Sequence, residues 1–241
     1  MWLLQNKMSV RDDGLLEGFC DFHSHLLPGV DDGIQEMQET LLILMLWEQV
    51  GVRRVWLTPH IMEDFPNTPH ELKNVFDSVV SVYQGKIQLH LAAENMMDNM
   101  FLNRLRENCL LPIGQKGQCL LVETSYYNPP MDMDEIIKQI KERGLTPILA
   151  HPERYQYMDM EDYRKWKERG LLLQMNIPSL VGAYGMGGQK KAEKLLDRGM
   201  YDLCGTDIHS LIYAEEFLDS KMKKKTFYAI RHLIESQSSS L

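Results

Sequence analysis

Seven short apolar runs alternate with amphipathic stretches along the chain, and no other feature constrains its fold as strongly. The runs are 19–23, 54–58, 87–93, 119–123, 147–150, 171–175 and 202–205, each of strand length. Helical patterns occupy 34–50, 70–84, 98–108, 132–143, 160–169, 189–198 and 213–235. Gly51, Gly85, Gly144, Gly170 and Gly199 sit where a left-handed C-cap would end a helix. Strands separated by helices pair in parallel, because a parallel crossover needs about a dozen residues or more. With 241 residues, 44% of them hydrophobic, the economical α/β arrangement is a closed or nearly closed (β/α)7 barrel in one domain. An open doubly wound sheet is the alternative. Both place function at the carboxyl ends of the strands.

No repeat and no Pro/Ser-rich linker divides the chain. Residues 1–18 read as an N-terminal extension, 19–235 as the domain, and 236–241 (SQSSSL) as a frayed polar tail. A formal net charge of -8 argues against a general nucleic-acid binder. The one basic run, KMKKK at 221–225, reads as a solvated helix face. Cys20, Cys109, Cys119 and Cys204 show no CxxC spacing, which favours a reducing, cytoplasmic setting over a disulfide scaffold. The N-terminal apolar stretch is too short for a signal peptide, and no segment reaches the ~20 apolar residues of a membrane span. The expectation is a protein without stable membrane insertion.

The strand ends carry an unusual set of side chains. The first ends in His23 and His25, the second in His60 (TPH), the third in Glu94 (AAE) and the fourth in Glu123 (LVE). The fifth ends in His151 and Arg154 (AHPER), the sixth in Asn176, and the seventh in Asp207 and His209 (GTDIH). Taken singly, each has an ordinary explanation as a loop residue, an exposed acid or a helix cap. Six of seven ends bearing His, Asp or Glu is different, because a barrel would gather them on one rim. Residues i and i+2 of an extended chain point to the same side, so His23 with His25, and Asp207 with His209, can each serve one ion. Imidazole and carboxylate without thiolate suit Mn, Fe or Zn. The rim offers more donors than one ion needs, so a cluster of two or three ions is the natural reading.

These motifs, in this order, resemble the polymerase-and-histidinol-phosphatase (PHP) superfamily. Within it, FHSHLLPGVDDG and AHPERY are similar to the bacterial manganese-dependent protein-tyrosine phosphatases that accompany capsule and exopolysaccharide tyrosine kinases; the resemblance spans roughly residues 19–235. It implies a distorted seven-stranded barrel holding three divalent metals, manganese first, with iron or zinc as alternatives. His23, His25, Glu94 and Asp207 would hold the first ion. Glu94 would bridge to a second, completed by Glu123 and His151, and Asp31, His60 and His209 would surround the third. Asp32 and Gly33 read as turn residues leading into the following helix, and Asp21 has no assigned metal role. Arg154 matches a phosphate-contacting arginine, and Asp207 and His209 join it as catalytic groups, with His209 or a metal-bound water as the acid. Three features depart from the family pattern without removing a ligand: the eighteen leading residues, Asn95 in place of a hydrophobic residue, and GTDIH in place of SDAH.

The implied chemistry is hydrolysis of protein phosphotyrosine, with a bacterial tyrosine autokinase as the substrate. Three divalent ions would bring more positive charge than Asp31, Glu94, Glu123 and Asp207 return, and a positive remainder beside Arg154 suits a phosphate dianion. A phosphocysteine route needs an arginine six positions after its cysteine, where this chain has Leu26, Gln115, Ser125 and Ser210. The glycine-rich GAYGMGGQKK at 182–191 fits neither nucleotide-loop pattern and reads as a turn into a helix beginning near Gln189, with a minor substrate-contact role left open by its place near the rim. Tyr126 and Tyr127 could line the pocket or pack in a loop. A small-molecule phosphatase of the histidinol-phosphate type, and a non-catalytic metal-binding regulatory module, are the competing functions.

Overall fold

The structure is a computed structural model that describes residues 7–237. From the N-terminus the elements are β1 (Lys7–Ser9), β2 (Cys20–Asp21), α1 (Met37–Gln49), β3 (Arg54–Leu57), β4 (His60–Ile61), α2 (Pro69–Val82) and β5 (Gln88–Leu91). They continue with β6 (Glu94–Met96), α3 (Phe101–Arg106), β7 (Cys119–Glu123), α4 (Met133–Glu142), β8 (Thr146–Ala150) and α5 (Met160–Glu168). The chain closes with β9 (Leu172–Asn176), α6 (Gly185–Asp197), β10 (Leu203–Gly205), α7 (Leu211–Asp219), β11 (Lys221–Lys223) and α8 (Lys224–Gln237).

The fold is mixed α/β with parallel sheets. Six strands run in the order β10-β9-β8-β7-β6-β4 and three in the order β2-β3-β5, every neighbouring pair parallel. A parallel bridge from Ser24 to Ile208, with Thr206 N–H donating to the His23 carbonyl at 3.2 Å, joins the chain after β2 to the chain after β10. The runs expected as single strands at 54–58 and 87–93 are each broken. β3 stops at Leu57 and β4 begins at His60 in the other sheet; β5 stops at Leu91 and β6 begins at Glu94. Pro59 lies in the first break and cannot donate to a ladder. The new pairing sets His60 directly opposite Glu94.

Alternation along the strands builds two cores. Cys20, Phe22, Trp56, Ala92, Cys119, Leu121, Ile148, Ala150 and Leu203 form an inner cluster from six strand segments. Their neighbours Val55, Leu57, Leu120, Val122, Leu149 and Leu173 face the helices in a larger outer cluster. β7 is buried at all five positions, as a strand covered on both faces must be. Helix starts follow local chemistry. Thr68 caps α2, with Pro69 at the first position and Glu71 returning the bond to the Thr68 N–H. Of the five glycines expected at C-caps, Gly51, Gly144, Gly170 and Gly199 take positive φ, whereas α2 ends at Tyr83 in extended conformation and Gly85 does not.

Two regions differ from the sequence reading. Residues 213–235 form a helix, a strand and a second helix, because Lys221–Lys223 pairs antiparallel with Lys7–Ser9. In that strand Met222 is buried between two exposed lysines, so residues 221–223 follow period two and are not a helix face. Residues 7–18, read as an extension, are built into the same body: Val10, Leu15 and Leu16 are fully buried in the outer core. At the other end, Ser236 and Gln237 belong to α8. Gln237 is buried, accepting from Cys204 N–H at 2.7 Å and donating to the Cys20 carbonyl at 3.0 Å. The rest of the expected tail, 238–241, lies outside the described residues, as do residues 1–6. All four cysteines are free, and no helix among the described residues is long and apolar enough to cross a membrane.

Candidate metal centre

The strand ends converge. His23 and His25 follow β2 on an extended segment, His60 opens β4, Glu94 opens β6 and Glu123 ends β7. His151 and Asp207 follow β8 and β10, both with left-handed backbones at φ 32° and 53°. Non-glycine residues enter that region at a cost and persist where surrounding contacts fix them, as at functional sites.

Four donor atoms form one tight group. His23 Nε2 and His25 Nε2 are 3.2 Å apart. His23 Nε2 lies 3.3 Å from Glu94 Oε2 and 3.4 Å from Asp207 Oδ1, and His25 Nε2 lies 3.3 Å from each. These five separations, with all four atoms within 4.8 Å of one another, approach the edges of a tetrahedron whose centre is about 2.0 Å from each corner, a metal–ligand distance for nitrogen and oxygen donors. The donor set therefore suits a divalent cation. Each histidine is aimed through its other nitrogen. Gln174 Nε2 donates to the Phe22 carbonyl at 3.1 Å, so its Oε1 accepts from His23 Nδ1 at 2.8 Å. Asp31 Oδ2 accepts from His25 Nδ1 at 2.8 Å. Both contacts leave Nε2 as the free lone pair.

Around this group lie two more. His60 Nδ1 is 3.2 Å from Glu94 Oε2 and 3.1 Å from Glu123 Oε1, and it has no hydrogen-bond partner although buried. His151 Nε2 lies 2.8 Å from Glu94 Oε1 and 3.9 Å from Glu123 Oε2. On the far side of the same imidazole, His60 Nε2 is 3.4 Å from Asp32 Oδ1, and His209 Nε2 is 3.6 Å from it. His25, Asp32, His60 and His209 together make the third candidate group. The structure thus gives Asp32, not Asp31, the place beside His60 and His209. Asp31 is turned inward, where the N–H groups of Gly33 and His60 donate to it at 2.9 and 3.0 Å in addition to His25. Asp21 is also structural: it accepts from His23 N–H at 3.2 Å, Thr206 N–H at 2.9 Å and the Thr206 hydroxyl at 2.5 Å, tying β2 to the segment after β10.

Charge is concentrated here under low exposure. Asp31, Glu94, Glu123 and Asp207 are all buried within one cluster. Burial alone would raise the pKa of Glu94 and Asp207; the surrounding imidazoles, His23 first, reverse this and hold both well below the usual carboxylate range. Burial likewise opposes protonation of His25, yet Asp31, Asp207 and Glu94 raise its pKa. So much buried negative charge requires cations, either protons on the imidazoles or metal ions in their place. Arg154 stands beside the group, its Nη1 donating to Asp207 Oδ2 at 3.1 Å. Its guanidinium lies 4.1 Å from the ring centres of both Tyr126 and Tyr184. Glu153 anchors the turn that carries it, accepting from Ser179 Oγ at 2.7 Å and from Asn176 N–H and Tyr201 OH at 3.0 Å. A cavity of about 400 Å³ opens above, lined by Asp32, His60, Tyr126, Arg154, Tyr184 and His209 among others.

All the residues expected at the rim are gathered; Asp31 lies among them bonded to His25, outside the three donor groups. Sequence reading missed Asp32, Gln174 and Tyr184 as parts of the site. Gln174 had a usable signal: it lies two positions before Asn176 on one strand, so both face the same side. For Tyr184 the only signal was its segment's place near the rim; the side chain's position follows from the turn at Gly182 and Gly185.

A family description reading "Capsular polysaccharide synthesis, CpsB/CapC" matches residues 19–230. The chain belongs to the CpsB/CapC family. Among curated relatives, the putative tyrosine-protein phosphatase CapC of Staphylococcus aureus is 23% identical over 214 residues, 84% of each chain. The tyrosine-protein phosphatase CpsB of Streptococcus pneumoniae is 26% identical over 210 residues, 79% of this chain and 83% of its own. Crystallographic work on YwqE from Bacillus subtilis and CpsB from S. pneumoniae describes unique metal-dependent tyrosine phosphatases. A structure from it matches this fold with a TM-score of 0.74 at 18% identity, covering 90% of this chain and 91% of the other. At that identity the likeness shows the fold; the site rests on the distances above.

Proposed function

We propose that the protein is a metal-dependent phosphatase acting on protein phosphotyrosine, in the cytoplasm, with a bacterial tyrosine autokinase of capsule or exopolysaccharide synthesis as substrate. The observation that carries this reading is the group of His23, His25, Glu94 and Asp207 donor atoms at 3.2–3.4 Å, with Arg154 on the outer oxygen of Asp207. The names of the CpsB, CapC and YwqE relatives support it. We read the parallel strands as one distorted (β/α)7 barrel opened at its two strand breaks. The order of the strands, the Ser24–Ile208 bridge and the inner core support that reading.

Three ions, manganese in the first instance, would be held by His23, His25, Glu94 and Asp207; by Glu94, Glu123 and His151; and by Asp32, His60 and His209. When bound, such ions supply Lewis acidity toward phosphoryl oxygens and hydroxide near neutral pH. Arg154 offers paired N–H donors to the phosphate, its guanidinium lying over both tyrosine rings. His209 donates Nδ1–H to the Asp207 carbonyl at 2.8 Å, leaving the Nε2 lone pair toward Asp32. Burial and neighbouring His25 lower its pKa, which favours the neutral ring of a ligand over the charged ring of an acid. A tyrosinate, with a pKa near ~10, needs less protonation on leaving than an alkoxide.

The test compares Mn²⁺-dependent hydrolysis of a phosphotyrosyl peptide with that of histidinol phosphate, in the wild type and in His151→Ala. The peptide should be the better substrate. Loss of His151 as a ligand should cost more than the roughly 10–100-fold typical of losing an outer partner. Preference for histidinol phosphate would make this a small-molecule phosphatase. Absence of metal-dependent turnover on both would sink the catalytic reading.

A further inference from the structure

Tyr184 belongs to the glycine-rich segment that reads in sequence chiefly as a turn, with a minor substrate contact left open. The structure gives it a position no turn requires. Gly182 and Gly185 both have left-handed backbones, at φ 94° and 73°, a conformation that glycine adopts without steric cost. Between these two reversals the chain passes from the short 3₁₀ turn Ile177–Val181 into α6. The phenol of Tyr184 reaches Asp207, on the next strand's end.

We propose that Tyr184 is a positioning residue for the metal centre: its hydroxyl fixes the outer oxygen of Asp207 while its ring fixes Arg154. This rests on the reading that Asp207 holds an ion and Arg154 meets phosphate. The direction of the hydrogen bonds is determined. Asn176 Nδ2 donates to Tyr184 OH at 2.8 Å and to Asp207 Oδ2 at 2.9 Å, which uses both its hydrogens. With the hydroxyl oxygen accepting from Asn176, the single phenolic hydrogen goes to Asp207 Oδ2 at 2.7 Å. Arg154 Nη1 completes the set on that oxygen at 3.1 Å. Oδ2 is thereby saturated and Oδ1 is left toward His23 and His25. Asp207 itself sits in the left-handed region, so its carboxylate depends on such contacts to hold one direction. The Tyr184 and Tyr126 rings each lie 4.1 Å from the Arg154 guanidinium carbon, so both restrict where the guanidinium can move. One side chain therefore aligns a metal-facing carboxylate with the phosphate-binding cation.

Two substitutions separate the two contacts. Tyr184→Phe removes the hydroxyl and keeps the ring; Tyr184→Leu removes both. Mn²⁺ affinity is measured by competition with a chelating dye, and KM by turnover of a phosphotyrosyl peptide at saturating Mn²⁺. Tyr184→Phe should weaken Mn²⁺ binding roughly 10–100-fold and leave KM at the wild-type value. Tyr184→Leu should show the same loss of affinity and raise KM about fivefold in addition, the worth of one partly buried cation–aromatic contact. Wild-type Mn²⁺ affinity in Tyr184→Phe overturns the hydroxyl's role. A common KM for the two variants overturns the ring's role. A wild-type protein that binds no Mn²⁺ overturns the metal reading itself, an outcome distinct from either.

Discussion

Adjacent aspartates at 31 and 32 have opposite fates. Asp31 accepts three hydrogen bonds inside the protein, while Asp32, with its side chain 56% exposed, faces His60 and His209. Burial tends to raise the Asp32 pKa, but the His60 hydrogen bond is the larger effect and brings it down to about 2. The two residues should therefore fail differently. Asp31→Ala removes the acceptor of all three N–H donors, His25 Nδ1 among them, so it should release His25 and lower Mn²⁺ affinity roughly 10–100-fold. Asp32→Asn should leave folding intact and, after dialysis, retain about one Mn²⁺ fewer per chain. Metal content by atomic absorption, with titration of each variant, separates the outcomes. Equal stoichiometry in Asp32→Asn and wild type would remove Asp32 from the ligand set. Spacing identifies a VDDG turn beside two histidines, but it leaves open which carboxylate looks outward. That choice is made by the backbone N–H groups of Gly33 and His60, which only the fold brings to Asp31.

At the scale of elements, the site depends on how strands begin and end. The break at Pro59 moves His60 into register with Glu94, and the Asp21–Thr206 contacts hold the first strand segment to the last. Asp21 is fully buried, and burial pushes its pKa up from 3.8 to about 6 despite the Thr206 bonds. A folded-state pKa above the unfolded value means the neutral form is the one folding favours. The contribution is complete below about pH 4 and is lost as pH rises through about 6. In the apoprotein, Asp21→Asn, which mimics the protonated acid, should therefore flatten the stability profile across that window. Urea denaturation at a series of pH values reads this out, and an unchanged slope would show that Asp21 does not titrate there. The helices were legible from periodicity because amphipathic faces repeat locally. The strand Lys221–Lys223 was not, since its partner at Lys7–Ser9 is more than two hundred residues away. A three-residue alternation carries too little local signal to compete with a surrounding run of lysines.

For the molecule as a whole, the buried acids and imidazoles make the folded state depend on cations. Ions that bind only the folded chain stabilise it by mass action, about 2.7 kcal/mol at a hundred times the dissociation constant. Removal of divalent metal with a chelator should abolish turnover and lower the melting temperature, and Mn²⁺ should restore both. A melting temperature indifferent to chelation would mean that the cluster is held by protons alone. By itself the sequence determined the alternation of strands and helices over most of the chain, the His and carboxylate side chains at strand ends, and the family, because these follow from local patterns and fixed spacings. Only the tertiary structure decided that Asp32 and not Asp31 faces His60 and His209, that Gln174 and Tyr184 hydrogen-bond to His23 and Asp207, and that residues 7–18 belong to the body. Each of those depends on which groups from distant parts of the chain arrive within 3 to 4 Å, a distance that no spacing along the chain encodes.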